Sequence, residues 1–483
     1  MYCLRSTPSR LCWLNLMASV ALVTVAAPAN AATASELLEK AIYTEETVGD
    51  LDQAIKVYEQ VVAEGKAVEK VAAQAQLRIG LIYAKQGKTD KATAAFQAVI
   101  DNYPQAEDVV AEARKHLPRE PQLLPVPWGA GDELLMEMQL PNGMGVGQQI
   151  YRVSAIEKEG QPHWECQTWQ TVVINGQLGK SRVLINKETF APIESTWKHS
   201  MLGQATGSYG KNEVVIQLSN ETDSTTLKFK GQVFDNEQAA EMFRLLPLKE
   251  GYKTTAQIIS TLGTTLIPLE IDVTKLETLE VPAGNFECFR LELNIGQTFW
   301  ISTDEHRYIV QFRGGGVTAR LSEIRDSPFT DSTNVEEPSF SVTLPPNWFA
   351  YTPSGGEKDA SPTTTIIDPD SIANTRIEAG PLEPIRSKFD SPESWLKESI
   401  EKYRNETVDF KLDEKGIETT SIGGRPAASA IFQFKEGKKS MTARRITIFG
   451  ETSAANVRSA VETKQLEQWE PQFAEILSTL EVK

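Results

Sequence analysis

Cys166 and Cys288 are the two cysteines beyond the first 31 residues, and each stands in an alternating run, in "HWECQTW" and "NFECFRL". A thiol in such a place can form a disulfide, pack as a small apolar residue, or act as a nucleophile. In an exported protein two cysteines favour one disulfide, whereas two buried core residues are the alternative. The sequence leaves both readings open.

A nucleophilic Cys288 would need a nearby base, and His306 and His163 are the candidates, with Asp304 to orient His306. Reactive thiols usually lie at a helix N-terminus or in an electropositive turn that lowers their pKa. Cys288 instead stands within a predicted strand beside Glu287. We therefore expect no catalytic residue. A thiol-dependent hydrolase or transferase that uses Cys288 with His306 or His163 is the alternative function.

The other residue types point away from metal, cofactor and nucleic-acid chemistry. The four histidines are scattered and never stand at i, i+4 or beside a cysteine, so we expect no metal site and no cofactor. The formal charge of −16 disfavours nucleic acid as a partner. The residue types therefore favour a function in non-covalent binding.

The first 31 residues are typical of a secretory signal peptide. Arg5 and Arg10 precede an apolar run over residues 13–27, and the small-residue pattern "ANA" ends at Ala31. The run is shorter than the roughly 20 residues that a spanning helix needs. We expect cleavage after Ala31 and an exported, periplasmic or extracellular protein that is not an integral membrane protein.

Residues 33–118 predict helical repeats. "GDLDQAIKVYEQVV" from Gly49 aligns with "GKTDKATAAFQAVI" from Gly87, and apolar residues recur at helical spacing. The pattern resembles the tetratricopeptide repeat, in which small and aromatic residues pack antiparallel helices together. The residues that carry the resemblance are Ala54, Tyr58, Gly80, Tyr83, Ala92, Phe96 and Pro104. The resemblance implies a groove for a protein partner, and a spacer or dimerisation element is the alternative.

Residues 119–132 are proline-rich and predict a linker, after which residues 133–324 alternate as the strands of an antiparallel meander do. One helical stretch, residues 236–248, interrupts them. The segment resembles an uncharacterised family of bacterial envelope domains, shaped like the half-barrels of lipoprotein carriers, through "WGAGDELLMEM", "VFDNEQAAEMFRLLPLKEGY", "VPAGNFECFRLEL" and "FWISTDEHRYIVQF". The resemblance implies a concave apolar face for an acyl chain or an apolar protein segment.

Aromatic and aliphatic residues of these strands and of the helix are the candidate ligand contacts. We expect the helix around Met242 to plug the mouth of the half-barrel and to be displaced when a ligand enters. The candidate contacts are Trp169, Trp197, Met242, Phe243, Leu246, Phe299 and Trp300.

Residues 325–338 predict a second linker, and residues 339–483 predict an α+β domain. Strand, Pro-Trp turn, helix, hairpins with "IGGRPA" and a closing helix follow each other in an order that resembles the PsbP-like αβα sandwich. The sequence thus predicts a multidomain protein: helical repeats, an antiparallel β half-barrel with a helix, and an α+β domain. We expect a non-catalytic binding or scaffold protein, with a protein partner on the repeats and lipid or apolar peptide in the half-barrel.

Overall fold

The computed structural model describes residues 33–64, 68–117, 120–173, 176–354, 363–368, 370 and 373–483. The signal-peptide prediction falls outside these residues. Contacts divide the chain into two compact units, Met1–Pro118 and Arg119–Lys483. The second unit holds both the central strands and the C-terminal α+β elements.

The first unit is helical. A capping box formed by Thr33 and Glu36 begins its first helix, and a π-helical turn at Thr44–Val48 follows the end of that helix. The helices are α1 (Ala34–Tyr43), α2 (Leu51–Glu64), α3 (Glu69–Lys85), α4 (Thr89–Asn102) and α5 (Glu107–His116).

Small residues set the packing of these helices, as the repeat pattern predicts. Gly80 of α3 lies against the ring of Phe96 of α4, and Ala92 is buried one turn before that ring. Ala54 and Tyr58 of α2 are fully buried in the neighbouring cluster. Two further repeat residues lie nearer solvent: Tyr83 is partly buried between the two clusters, and Pro104 is exposed in the turn after α4.

Fifteen strands of the second unit form one curved sheet. They are β1 (Gly131–Gln139), β2 (Gly145–Lys158), β3 (Gln161–Val172), β4 (Gln177–Asn186), β5 (Pro192–His199), β6 (Gly203–Tyr209), β7 (Glu213–Leu218), β8 (Thr225–Lys228), β9 (Val233–Asp235), β10 (Lys253–Ser260), β11 (Thr265–Val281), β12 (Gly284–Leu293), β13 (Thr298–Ser302), β14 (Ile309–Gly314) and β15 (Val317–Asp326). The helix α6 (Ala239–Phe243) follows β9 after a 3-10 turn at Asn236–Gln238.

The order of the sheet is β8-β7-β6-β5-β4-β3-β2-β1-β15-β14-β13-β12-β11-β10-β9. Its pairs are antiparallel except β9 with β10, which is parallel. The two ends of the sheet approach each other, because Val214 and Ile216 of β7 share a core cluster with Val233 of β9 and Ile259 of β10. Strands from both halves of the sheet surround α6 in one large core. The predicted antiparallel sheet with a helix against it is confirmed.

The remaining elements form the C-terminal part. Its strands are β16 (Thr333–Glu336), β17 (Phe340–Leu344), β18 (Phe349–Tyr351), β19 (Thr363–Ile367), β20 (Ala373–Pro381), β21 (Val408–Ile422), β22 (Arg425–Glu436), β23 (Lys439–Phe449), β24 (Ser453–Glu462) and β25 (Glu481–Val482). Its helices are α7 (Leu382–Arg386), α8 (Pro392–Glu406) and α9 (Leu466–Thr479). The strand β16 lies within residues 325–338, the segment that the sequence predicts as a linker.

A seven-stranded sheet, β18-β19-β20-β24-β23-β22-β21, carries helices on both faces. Leu396 and Ile400 of α8 pack on Ala428 and Ala430 of β22. On the opposite face α9 packs with the three-stranded sheet β16-β17-β25, because its buried aromatic residues share a cluster with β17. This α+β sandwich confirms the predicted C-terminal fold class.

The sandwich is fixed to the outer face of the curved sheet. Arg152 of β2 donates from Nη1 to Asn347 Oδ1 at 2.6 Å, and its guanidinium lies 4.9 Å from the ring of Trp169. The same guanidinium forms a buried ion pair with Glu133, and burial raises the pKa of that carboxyl although Arg152 opposes the shift. The contact with Phe349, whose ring lies 5.2 Å from that of Trp169, completes the interface.

Replacing Gly80 by alanine tests the close helix contact of the repeats. A methyl group there would lie 2.5 Å from Cε1 of Phe96. Helix propensity alone would make Gly80→Ala stabilising by about 1 kcal/mol, but overpacking should destabilise this unit by about 1–3 kcal/mol. We expect faster hydrogen exchange across α3 and α4 in the intact chain.

Phe96→Leu supplies the matched background, because it withdraws the ring that meets the new methyl group. In that background Gly80→Ala should slow exchange or leave it unchanged. Equal acceleration in both backgrounds would contradict the packing explanation.

Candidate functional site

A cavity of about 310 Å³ opens at the end of the curved sheet where the β3–β4, β5–β6 and β12–β13 turns lie. Apolar side chains from α6 and from β10 to β14 line most of its floor, and polar side chains from β2 to β5 line the opposite wall. The volume is at the lower end of the roughly 300–1,000 Å³ found for small-molecule sites. The lining residues used below are Gln170, Gly179, Trp197, His199, Phe243, Phe299 and Phe312.

Three phenylalanines form the apolar end of this cavity. Phe299 of β13 is paired with Phe312 of β14, and their ring centroids are 4.8 Å apart. Phe243 of α6 meets Phe299 edge-on at 4.9 Å. Such edge-on and tilted contacts are favourable arrangements of aromatic rings. The helix therefore contributes one wall of the cavity.

Three of the seven predicted ligand contacts line this cavity: Trp197, Phe243 and Phe299. The ring of Trp197 stacks on that of His199 at 5.6 Å. Met242 and Leu246 are fully buried in the core beneath the helix and do not line the cavity. Phe312 completes the aromatic end and was missed, although its position in the alternation of β14 could have shown it.

Trp169 and Trp300 do not line this cavity, because both point to the other face of the sheet. Successive side chains of a strand alternate between faces, so Trp300 lies opposite Phe299. Its Nε1 donates to Glu277 Oε1 at 2.8 Å. Trp169 instead packs against Phe349 of the C-terminal part. The sequence shows that apolar and polar side chains alternate along these strands, but it does not show which of the two faces lies inside the curved sheet.

A buried ion pair anchors the chain directly after α6. Arg244, 0 % exposed, donates from Nη1 to Asp132 Oδ1 at 3.0 Å and from Nη2 to Asp132 Oδ2 at 2.5 Å. It also donates to the backbone carbonyls of Arg307 at 2.9 Å and His306 at 3.0 Å. A two-pronged pair of this kind fixes direction as well as distance. The C-terminal end of the helix is thereby tied to β1 and to the β13–β14 turn.

Glu241 of the helix is a second buried ionisable residue in this region. It is 2 % exposed, and its Oε2 has no hydrogen-bond partner among the residues that the structure describes. Burial raises the pKa of this carboxyl to about 8, although Arg244 lowers it. Glu241 therefore carries a proton at neutral pH, because an uncompensated charge in this core would be costly.

Both cysteines are free, buried thiols in the structure, which corresponds to the packed alternative. Five strands separate β3, which carries Cys166, from β12, which carries Cys288. The Cys288 thiol donates to the Phe286 carbonyl oxygen at 3.6 Å. Burial, together with Asp304 and two glutamates, raises the pKa of Cys288 to about 12. A thiol with this pKa is not a nucleophile at neutral pH.

The two candidate bases have other contacts. The His306 ring stacks on Tyr308 at 5.1 Å, and His163 Nδ1 lies 2.8 Å from the Gln161 carbonyl oxygen. Neither histidine is hydrogen-bonded to Cys288 in the described part of the chain. Within those same residues, no group of three or more His, Cys, Asp or Glu side chains could hold a metal ion. No described helix is both long and apolar enough to cross a bilayer.

The helical unit carries a groove of about 350 Å³ of its own. The helices α1, α3 and α5 line it, which are the first members of successive antiparallel pairs. Its apolar residues are Leu38, Ile42, Leu77 and Val109, and its polar residues are Gln74, Arg78, Asp108 and Glu112. A mixed lining of this kind suits a peptide with alternating apolar and polar side chains.

Two family models match parts of the chain. Residues 40–107 match the tetratricopeptide repeat, and residues 136–321 match a protein family of unknown function, DUF3108. None of the curated proteins compared with the chain matches it.

Solved structures resemble parts of the second unit at low identity. The solution structure of cyanobacterial PsbP (CyanoP) from Synechocystis sp. PCC 6803 is 8 % identical, with a TM-score of 0.26 over 32 % of this chain and 95 % of that one. LpqN, involved in cell envelope biogenesis of Mycobacterium tuberculosis, is 14 % identical, with a TM-score of 0.22 over 32 % and 91 %. A β-barrel-like DUF1849 protein from Brucella abortus is 10 % identical, with a TM-score of 0.30 over 43 % and 100 %. TM-scores this low carry no function to the present chain. What the comparisons establish is that residues 40–107 are similar to the tetratricopeptide repeat and residues 136–321 to the DUF3108 family.

Glu241→Gln should change how stability depends on pH. The pKa of Glu241 in the folded state, about 8, lies above the value of 4.5 for an unperturbed carboxyl, so the folded state holds this proton more tightly. The stability that this tighter proton binding contributes to the folded state is complete below about pH 4.5 and is lost as the pH rises through about 8. Glutamine has no proton to lose in this pH range. Glu241→Gln should therefore be more stable than the unchanged protein at about pH 9 by on the order of 3 kcal/mol, with little difference between the two at about pH 5.

Urea unfolding followed by tryptophan fluorescence measures this difference, because the tryptophans of the described residues lie in the second unit. Glu305→Gln is the matched control, since its side chain is 90 % exposed. A pH-independent difference between Glu241→Gln and the unchanged protein would contradict the assignment.

Proposed function

We propose that this chain is a non-catalytic, exported binding and scaffold protein. In this proposal the helical repeats hold a protein partner and the curved sheet holds one acyl chain or a short apolar peptide segment. The α+β sandwich serves as a third domain fixed to the sheet. The observation that supports the ligand site most directly is the cavity beside α6, with its end made of Phe243, Phe299 and Phe312.

The size and lining of the cavity support a single slender ligand. About 310 Å³ suits one acyl chain better than a folded lipid with several chains. Each methylene group that leaves water contributes about 0.8 kcal/mol, so a chain of ordinary length would bind without a charged partner inside. The polar wall, with Gln170 and His199, lies at the mouth and could receive the head of such a ligand.

The helix is the part that we propose to move. Arg244 holds its C-terminal end, whereas Phe243 and the preceding turn border the cavity. A longer ligand would displace the Phe243 ring and the turn at Asn236–Gln238 while the ion pair stays in place. The opening would then be a hinge movement about Arg244.

The groove of the helical unit supports the second half of the proposal. Residues 40–107 match a repeat that is associated with protein–protein interaction, and Leu38, Leu77 and Val109 give the groove an apolar base. Arg78 stands at its side, where it pairs with Glu46 at 2.7 Å. A peptide partner with apolar anchors suits this surface, and the spacer alternative predicts no such partner.

Gly179 provides a way to close the mouth of the cavity without disturbing the core. A Cβ atom there would lie 3.5 Å from His199 Cδ2 and 3.7 Å from Gln170 Cβ, which are ordinary contacts. Both neighbours line the cavity, so Gly179→Phe places a ring at its mouth while Gly179→Ala leaves it open. We expect one equivalent of palmitate to bind, measured by displacement of a fluorescent fatty acid, with affinity about tenfold or more lower in Gly179→Phe.

Gly179→Ala is the control for the loss of the glycine itself, and its affinity for palmitate should equal that of the unchanged protein. Palmitate binding that is equal in both variants would place the acyl site elsewhere. Failure of the unchanged protein to bind palmitate or an apolar heptapeptide would overturn the ligand half of the proposal.

A further inference from the structure

A second cavity, of about 700 Å³, lies on the outer face of the curved sheet, where that sheet meets the α+β sandwich. Gln148 and Arg152 of β2 line it, whereas Gln149 and Tyr151 of the same strand line the cavity beside α6. Successive side chains of a strand point to opposite faces, so the two cavities lie on opposite sides of the sheet. Most residues that line the second cavity are polar or charged.

The two arginines of this cavity are paired with carboxylates. Arg152 pairs with Glu133, which also pairs with Arg325 at 3.3 Å. Arg325 pairs with Glu323 as well, at 2.7 Å. Two glutamates thus balance two arginines, and no positive charge is left over for the other carboxylates of the cavity.

Two of these other carboxylates have no basic partner. Asp331 forms no ion pair among the residues that the structure describes, and the Glu337 carboxylate accepts from the Thr352 hydroxyl at 2.6 Å. Lys483 pairs with Glu336 and donates to the backbone carbonyl of Glu337, not to its carboxylate. Asp331 precedes β16 and Glu337 follows it, so the two carboxylates stand at opposite ends of that strand.

Gln148 adds an unpartnered acceptor to the same cavity. It is 7 % exposed, and its Oε1 has no hydrogen-bond partner in the described part of the chain. Buried polar groups are nearly always hydrogen-bonded, so this oxygen indicates a missing partner. An amide oxygen can only accept a hydrogen bond, and so can an ionised carboxylate. The missing partner is therefore a donor.

Apolar side chains also line the cavity. Val335 of β16 stands between the two unpaired carboxylates along the chain, and Leu135 and Phe349 belong to the same lining. The ring of Phe329 covers the Arg152 guanidinium at 4.4 Å. Burial against such side chains favours methylene groups over water. A ligand that suits this cavity carries positively charged donors joined by a hydrocarbon chain.

We propose that this cavity binds a linear polyamine whose ammonium groups meet Asp331 and Glu337. An ammonium group has three donors and no acceptor, and its hydrogen bonds to carboxylates are strengthened by charge. A third amino group of the same ligand supplies the donor that Gln148 Oε1 lacks. This site lies on the other face of the sheet from the proposed acyl site and does not depend on it.

Isothermal titration calorimetry of the full chain with spermidine at physiological salt tests the site. We expect one equivalent to bind. Affinity should fall about fivefold in Asp331→Asn, because Asp331 is exposed, and about tenfold in Glu337→Gln, because Glu337 is partly buried. Glu336→Gln is the matched control, since it removes the same charge from the neighbouring residue, which does not line the cavity. Its affinity should equal that of the unchanged protein.

Two further probes and one further variant separate a polyamine site from a general attraction of cations to an acidic protein. Hexylamine, with one ammonium group, should bind more weakly than spermidine, and 1,6-hexanediol, with none, more weakly still. Gln148→Leu should weaken spermidine binding several-fold without changing the charge. Circular dichroism shows whether each variant is folded. Equal weakening by Glu336→Gln and Glu337→Gln, hexanediol binding as tight as that of spermidine, or no spermidine binding would overturn the proposal.

Discussion

The ion pair between Arg244 and Asp132 is the constraint on which the curved sheet depends. Both side chains are buried, so each would carry a large desolvation cost alone, and each is stable there only because the other is present. The backbone carbonyls of His306 and Arg307 take further guanidinium donors. One side chain thus joins the first strand of the sheet, the helix inside it and a turn of the opposite half.

This constraint explains why the sheet can be so large and still have a defined interior. Fifteen strands would leave a wide concave face, and α6 with the residues after it fills most of it. What remains is the cavity beside Phe243 rather than an open trough. The position of Arg244 therefore fixes both the packing of the core and the volume left for a ligand.

The sequence predicted those features that depend on local periodicity. The spacing of Gly80 and Phe96 gave the repeat packing, and alternation gave the strands of the curved sheet. It could not give the face to which Trp169 and Trp300 point, because alternation has two equivalent phases until the sheet is assembled. Nor could it join Asp132 to Arg244, because these residues are far apart in the sequence and meet only through tertiary packing. The part of the site that the sequence did not predict is the part that tertiary contacts form.

The ends of the curved sheet have a consequence for the behaviour of the protein in a crowded compartment. An edge strand offers unpaired N–H and C=O groups that can recruit a strand from another molecule. Here the two ends turn toward each other: apolar residues of β7, β9 and β10 share one cluster, and Tyr209 donates to Asp235 at 2.5 Å. The edges are short as well, with four residues in β8 and three in β9. A sheet of this size is thereby shielded from strand exchange and from ordered aggregation.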